Sequence, residues 1–239
     1  MPERYDQDAA AHYAAYRPPL HAAILHRVLI KPRHFDLGLD IGCGTGYSTL
    51  ALAPYCTHTI GIDPSHAMLE QAVPHANVSY LTGAGDAVPL SNDTVDLVTF
   101  AGALFYADSE ATRTEVQRVC KPNARVVVYD FEILLEATLR RLDVATPATN
   151  STYDHTINFS DRAGFTEHLV RSEQVDLSLT SEELAHVVLS DSNRLDVLAK
   201  ASEHADLFTG LVHILGGEHS THTLSAALYY ALYSVNKRR

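Results

Sequence analysis

Residues Leu39-Asp40-Ile41-Gly42-Cys43-Gly44-Thr45-Gly46-Tyr47-Ser48 decide how this chain folds. The apolar stretch Leu37 to Ile41 reads as a strand. It runs into three alternate glycines, and Tyr47 to Ala53 then reads as a helix stopped by Pro54. Glycine has no Cβ, so a turn built on Gly42, Gly44 and Gly46 can take positive φ and lets a ligand lie against backbone. Downstream, Ile60-Gly61-Ile62-Asp63 reads as a second strand ending on a carboxylate, 17 residues after Gly46. In open α/β sheets an acid near that distance meets ribose hydroxyls.

The spacing separates cofactors. A dinucleotide turn is written G-x-G-x-x-G, with a pyrophosphate on the helix N-terminus. This chain has G-x-G-x-G, with Asp40 two residues ahead of the first glycine. A carboxylate there suits a cationic ligand group better than a phosphate. An unliganded glycine-rich turn is the plain alternative.

Outward from this turn, strand-like runs alternate with helical ones. The strands are Leu37–Ile41, Thr59–Ile62, Val78–Leu81, Val95–Phe100 and Ala124–Phe131, and the helices are Tyr47–Ala53, Ser65–Ala72 and Ser109–Cys120. Such alternation predicts a parallel sheet with helices on both faces. Before it, Pro18-Pro19 splits a helical pattern into a helix ending near Tyr16 and another starting at Pro19. After Phe131 the rhythm changes. Ile133–Leu142 reads as a helix, and the Thr-, Ser-, Asn- and Pro-rich Ala145–Asp161 as a loop or lid. Val170–Leu179 reads as a sixth strand. Thr180 with Glu183 offers a capping box for a helix over Ser181–Leu189. Asn193–Phe208 reads as a helix closed by Gly210. Leu224–Val235 fits helical spacing and strand alternation equally.

Composition narrows the class. Hydrophobic residues make up 46% of 239, enough for a sizeable core, and the net charge is −11. An acidic chain suits phosphate backbones poorly, since affinity there comes largely from Lys and Arg; no nucleic-acid partner is expected. Cys43, Cys56 and Cys120 are scattered and odd in number, which matches no disulfide framework or zinc spacing. His219 and His222 lack the further ligands that would complete a metal site, so none is expected. No apolar run reaches ~20 residues, the length a spanning helix needs. The polar N-terminus lacks a signal-peptide core, and a cytoplasmic protein without membrane contact is expected.

The run Asp40-Ile41-Gly42-Cys43-Gly44-Thr45-Gly46 resembles the first motif, D-x-G-x-G-x-G, of the class I S-adenosylmethionine-dependent methyltransferases. Asp86-Ala87-Val88-Pro89-Leu90 resembles that family's acid-x-hydrophobic-Pro-hydrophobic element. Asn92 to Val98 resembles the entry to its fourth strand, and Arg118-Val119-Cys120-Lys121-Pro122-Asn123 its R-x-L-K-P-G, with Asn123 in place of glycine. Asn tolerates left-handed geometry, so that turn can survive. The lead-in Tyr13-Ala14-Ala15-Tyr16-Arg17-Pro18 is similar to the subgroup related to trans-aconitate and ubiquinone-pathway methyltransferases. The resemblance covers about the first 131 residues. One departure is Ala84, where many relatives carry an acid for the adenine amino group.

The resemblance implies a Rossmann-like three-layer sandwich around a mostly parallel seven-stranded sheet, the last strand antiparallel, with a helical lid or insertion in the C-terminal half. It implies one domain over 1–239: N-terminal helices 1–34, a cofactor core 35–131, a substrate lid 132–222 and a C-terminal strand 223–239. It implies S-adenosylmethionine as methyl donor and S-adenosylhomocysteine as product. Asp40 would face the ammonium, directly or through water, and can at the same time hydrogen-bond the glycine turn as a strand-end acid, while Gly42, Cys43, Gly44 and Gly46 border the methionine and ribose. Asp63 would take the ribose hydroxyls beside Pro64, or else cap the next helix. Met68, Gly85, Asp86 and Ala87 would lie near adenine, Ala101 and Phe105 near the methyl, and Tyr13 and Arg17 near the cofactor's carboxylate or a substrate anion.

Acceptor-facing candidates follow from position, because ligands of open α/β sheets lie beyond the strands' carboxyl ends. These are Phe105 and Tyr106 after the fourth strand and Tyr129 and Asp130 ending the fifth. Tyr106 and His155 are the candidates for a catalytic role. Neither is an evident base from sequence, which slightly favours an acceptor that is already nucleophilic, such as a carboxylate. The function expected is methyl transfer to a small molecule. The alternative is a non-catalytic module of the same fold that supports a partner. Oligomeric state is not legible.

Overall fold

The structure is a computed structural model. It describes residues 7–29, 34–144, 152–191, 194, 197–198, 206–217 and 219–237. In chain order the elements are α1 (Gln7–Ala15), α2 (Leu20–Val28), β1 (Phe35–Ile41), α3 (Tyr47–Leu52), β2 (Cys56–Asp63), α4 (His66–Leu69), β3 (Val78–Thr82) and β4 (Val95–Ala101). Then come α5 (Leu104–Ala107), α6 (Glu110–Val119), β5 (Cys120–Ile133), α7 (Glu136–Arg141), β6 (Phe165–Thr180), α8 (Ser181–Leu189), α9 (Leu207–Ile214) and β7 (Thr221–Val235).

Seven strands form one sheet in the order β3-β2-β1-β4-β5-β7-β6. The pairs β1–β2, β1–β4, β2–β3 and β4–β5 are parallel. For β6 and β7, side-chain hydrogen bonds across the pair give the direction. Thr166 meets Asn236, His168 meets Ser234 and Glu173 meets Tyr230, so β6 and β7 run oppositely. The chain leaves β1 to both sides, into β2 and β4, and such a reversal is where open α/β sheets bind ligands.

The mostly parallel sheet agrees with the expected fold, and the expected strands agree to within a few residues. Helix lengths differ more. The helix expected over Ser65–Ala72 has only His66–Leu69 in α-geometry. Pro54 converts the end of α3 into a 3-10 turn, Ala53–Tyr55. The helix expected at Asn193–Phe208 lies largely outside the described residues, and Gly210 closes nothing. It sits inside α9, whose cap is Asp206, accepting from the amide of Phe208. Leu224–Val235 is a strand. As an inner strand it buries residues of both parities, Ala227 and Leu228 among them, and this imitates helical spacing.

Packing divides the chain into two compact units. One gathers residues 1–18, 133–151 and 174–227, and the other 19–132, 152–173 and 228–239. The larger is built on Leu39, Ile41, Val98, Phe100, Val126 and Val128 of the central strands, with Val116 and Val119 of α6. Phe159 enters the same core and stacks on Phe165 at 4.5 Å between centroids. The smaller unit packs Ala9 with Leu184, Val188, Leu211 and Leu224. Its α8 starts at the expected capping box, Thr180 taking the amide of Glu183 at 3.2 Å and Glu183 returning to the Thr180 amide at 2.8 Å. Among the described residues no helix is long and apolar enough to cross a membrane.

Candidate functional site

The glycine turn takes the shape its composition allows. Gly42, Gly44 and Gly46 have φ of 74°, 52° and 85°. A Cβ on Gly42 would stand 2.5 Å from the Ala103 Cβ, and one on Gly46 2.2 Å from the Tyr80 hydroxyl, whereas one on Gly44 would meet nothing within 4 Å. The outer glycines are therefore required by the protein's own packing. Gly44 instead faces open space, the kind of backbone a ligand lies against.

Two carboxylates build this turn in different ways. Asp40 is fully buried and accepts from Ser48 Oγ at 2.6 Å, Thr49 Oγ1 at 2.8 Å and Thr99 Oγ1 at 2.7 Å. Burial pushes its pKa up while the three hydroxyls pull it back. The expectation that it faces a ligand's ammonium thus meets a carboxylate that solvent does not reach. Its visible work is to pin β1 to α3 and β4. Asp63 accepts from the Gly44 amide at 2.9 Å through one oxygen and from the Ser65 amide at 2.8 Å through the other. Each carboxylate oxygen has a second lone pair, so Asp63 can hold the turn and also receive ribose hydroxyls. The helix cap is Ser65 rather than Asp63, with Ser65 Oγ accepting from the Met68 amide.

Open backbone at Gly44 beside a carboxylate with acceptor capacity left fits S-adenosylmethionine. Around it, the Cys43 thiol is buried and its pKa is pushed up. Tyr80, which the sequence reading missed, wedges against Gly46 and Gly61 and donates to the Val73 carbonyl at 3.1 Å. Pro64 is exposed and Met68 half-buried. The element carrying Gly85, Asp86 and Ala87 is a short loop with Ala84 bridged to Ala87. Asp86 and Ala87 are exposed, and Gly85 is buried against Thr112. Arg118 latches this loop, donating to the carbonyls of Val88 at 2.9 Å and Leu90 at 2.8 Å while gripping Glu115. Asn123 has the left-handed φ, 63°, that its place in the turn demands.

Tyr13 and Arg17 belong to the smaller unit, where the guanidinium lies 3.1 Å over the Tyr13 ring. The other candidates lie in the larger unit. Neighbours on a strand point to opposite faces, and this separates Tyr129 from Asp130. Tyr129 is buried, with its hydroxyl 3.1 Å from His21 Nδ1. Asp130 turns the other way to His155, with Oδ2 2.8 Å from Nδ1. The Tyr153 hydroxyl sits 2.8 Å from both that oxygen and the Gly102 carbonyl. Phe105 and Tyr106 close on Tyr153, with centroids at 4.7 and 5.7 Å, and Ala101 leads into this corner from β4. Tyr106 is 80% exposed. His155 stacks on Tyr229 at 5.7 Å.

Sequence reasoning held His155 and Asp130 apart and missed Tyr153 and Tyr229. The overlooked signal is Phe159, a large apolar residue that stands with Ile157 in a mostly polar run. Buried in the core, it anchors the segment that carries Tyr153 and His155. Tyr233 reinforces it by donating to Asn158 Oδ1 at 3.1 Å.

Known proteins resemble the part of the chain that carries the glycine turn. Residues 39–128 match the profile described as a methyltransferase domain. Human methyltransferase-like protein 27 is 34% identical over 154 residues, covering 59% of this chain and 62% of that protein. The uncharacterized methyltransferase YcgJ of Bacillus subtilis is 33% identical over 99 residues, covering 38% of this chain and 39% of YcgJ. The chain spans about two fifths of the length of the first curated relatives it matches. A structure of a type II methyltransferase candidate from Anaeromyxobacter dehalogenans superposes with a TM-score of 0.63 at 19% identity, over 92% of this chain and 97% of that one. The glycine turn and the acid ending β2 lie inside the stretch that matches a methyltransferase domain, and the strand order is that of the class I methyltransferase fold seen in the Anaeromyxobacter structure.

Proposed function

We propose that this chain transfers a methyl group from S-adenosylmethionine to a small-molecule acceptor. The observation that carries the reading is the open space over Gly44 beside Asp63. When bound, the cofactor supplies an electrophilic methyl on a sulfonium. The chain's own residues then have three tasks. Asp63 would accept ribose hydroxyls, the Gly42–Gly46 backbone would hold the methionine and ribose, and the Gly83–Leu90 loop latched by Arg118 would border the adenine. The acceptor enters beyond the ends of β4 and β5, beside Phe105, Tyr106 and Asp130. Alignment of acceptor and methyl can supply on the order of 7–11 kcal/mol of the barrier. An acidic chain, −11 overall, favours a small molecule over nucleic acid.

Calorimetry with S-adenosylhomocysteine tests the donor. Saturable binding that Asp63→Ala abolishes is the expected result. Binding of NAD with none of the homocysteine compound rejects the reading. A screen of small carboxylates, phenols and amines for homocysteine release, in a coupled assay, tests turnover. Binding without any turnover, together with loss of a protein partner in Asp63→Ala, would favour the non-catalytic module.

A further inference from the structure

We infer that His155, oriented by Asp130, is the base that deprotonates the acceptor, and that the acceptor is a phenol. The inference rests on the methyltransferase reading above and adds to it the acceptor's protonation state and shape. From sequence alone, the want of a base tilts the expectation toward a carboxylate. The geometry supplies the base.

A carboxylate only accepts hydrogen bonds. Asp130 Oδ2 at 2.8 Å therefore fixes the proton of His155 on Nδ1 and leaves Nε2 with its lone pair. Asp130 is itself held in place. Its other oxygen accepts from the Phe131 amide at 2.8 Å, and the Tyr153 hydroxyl sits between it and Gly102. The imidazole is fixed from a further side by Tyr229, and its side chain stays 31% exposed, which leaves the ring open to a ligand. A base locked by an orienting acid and open to a ligand is the arrangement that proton removal requires.

Position connects the pair to the donor. Gly102, which shares the Tyr153 hydroxyl with Asp130, precedes Ala103, and Ala103 occupies the space where a Cβ on Gly42 would stand. Asp130, which orients the base, thus stands two strands over from the glycine turn, across β4 and near the carboxyl end of β5. In the step, the acceptor's O–H proton passes to Nε2. An oxygen lone pair forms the bond to the methyl carbon, the C–S electrons return to sulfur, and imidazolium beside the Asp130 carboxylate remains. That ion pair is stabilised by the contact already present.

The ring walls set the acceptor's shape. Phe105, Tyr106 and Tyr153 form a connected set that continues through His155 to Tyr229, with centroid spacings of 4.7 to 5.7 Å. Flat faces of this kind take a planar ring by offset or edge contact. An ammonium also suits aromatic faces. However, a cavity of about 90 Å³ runs from His155 and Tyr229 to Ser172 and Arg171, and that cation disfavours a second one. The titratable and charged groups facing the imidazole are Asp130 of β5, Tyr153 and Asp154 alongside it, Tyr229 of β7 and Arg171 of β6.

The test uses the full chain saturated with S-adenosylhomocysteine and 4-nitrophenol as the probe, with no turnover. The bound probe should show phenolate absorption at a pH where the free compound is protonated, and His155→Gln should abolish this while leaving S-adenosylhomocysteine affinity unchanged. Asp130→Asn should weaken the phenolate signal, and imidazole nitrogen NMR should show the His155 proton moving from Nδ1 to Nε2. With the methyl donor present, phenols should be O-methylated, and His155→Gln should lower kcat by at least ~10²-fold. A wild-type protein that binds S-adenosylhomocysteine but leaves the probe protonated overturns the inference. So does methylation of benzoate or benzylamine but not of phenols. Both outcomes leave the donor reading standing. Loss of S-adenosylhomocysteine binding in the wild type is the separate result that removes the donor reading.

Discussion

The amide of Gly44 donates to the carboxylate of Asp63 at 2.9 Å, tying the middle of the glycine turn to the end of the neighbouring strand. Asp63→Asn keeps the shape but presents an NH2 to one of the two amides that Asp63 now accepts. The variant should lose stability by about 1–3 kcal/mol, the cost of a hydrogen bond left unmade. It should also bind S-adenosylhomocysteine about tenfold more weakly or worse. Urea melts and calorimetry read the two effects separately.

Gly44→Ala and Gly46→Ala should fail for different reasons. At Gly44 an added methyl enters open space, so only the positive φ opposes it, at about 1–2 kcal/mol. The protein folds, and the methyl stands where the cofactor should lie, so binding is lost. At Gly46 the methyl meets the Tyr80 ring as well, and the total cost should reach about 3 kcal/mol or more. Thermal melts should therefore rank Gly46→Ala well below Gly44→Ala, while calorimetry shows both unable to bind.

Acid should loosen the smaller unit. His186 lies 3.0 Å from His12, and burial, then its neighbour's charge, lowers its pKa from the usual 6.5. His222, beside Ser181 and near Arg141, is lowered for the same first reason. For a base whose folded pKa is depressed, the unfolded chain binds more protons. The stability contribution is thus complete above about 6.5 and is lost as pH falls below it. Melting temperature should fall from pH 7 toward pH 5, and His186→Phe, which keeps the ring against Phe208, should shrink that fall. An unchanged pH slope in the variant would refute this account.

Arg118→Ala should release the loop from Val88 to Asn92. The guanidinium serves two carbonyls and Glu115, whose carboxyl it draws below the ordinary carboxylate range. Charge-assisted contacts of this kind give a cost of about 1–3 kcal/mol. Hydrogen exchange should quicken at the amide of Val88, which Glu115 now holds at 2.9 Å, before any change appears in the central strands.

The core was readable from sequence because its signals are local. A strand, three glycines, a helix and an acid lie within 25 residues, Leu39 to Asp63, and each dictates its own backbone. Asn123 announced its left-handed turn in the same way. Long-range pairings were not legible. Asp130 and His155 stand 25 residues apart and meet where Ile157 and Phe159 hold the returning segment against the core. Tyr80 looked like any strand residue until the fold set it against Gly46. The strand β7 misled by its burial on both faces, which erased the alternation that marks a half-exposed strand. The three hydroxyl partners of Asp40 were not legible because they are ordinary Ser and Thr residues, one of them 59 positions away.

Those partners carry a consequence for anyone redesigning the turn. Asp40, Ser48, Thr49 and Thr99 form a closed quartet with no water-facing member of the carboxylate's shell. Changing one leaves either an acid short of donors or hydroxyls short of an acceptor in the dry interior, so a one-site-at-a-time scan will report all four as immutable. A library that varies the four together, exchanging the polar set for apolar residues of matched volume, explores a different landscape. There the quartet behaves as a single heritable character, replaceable as a block although no part of it is replaceable alone.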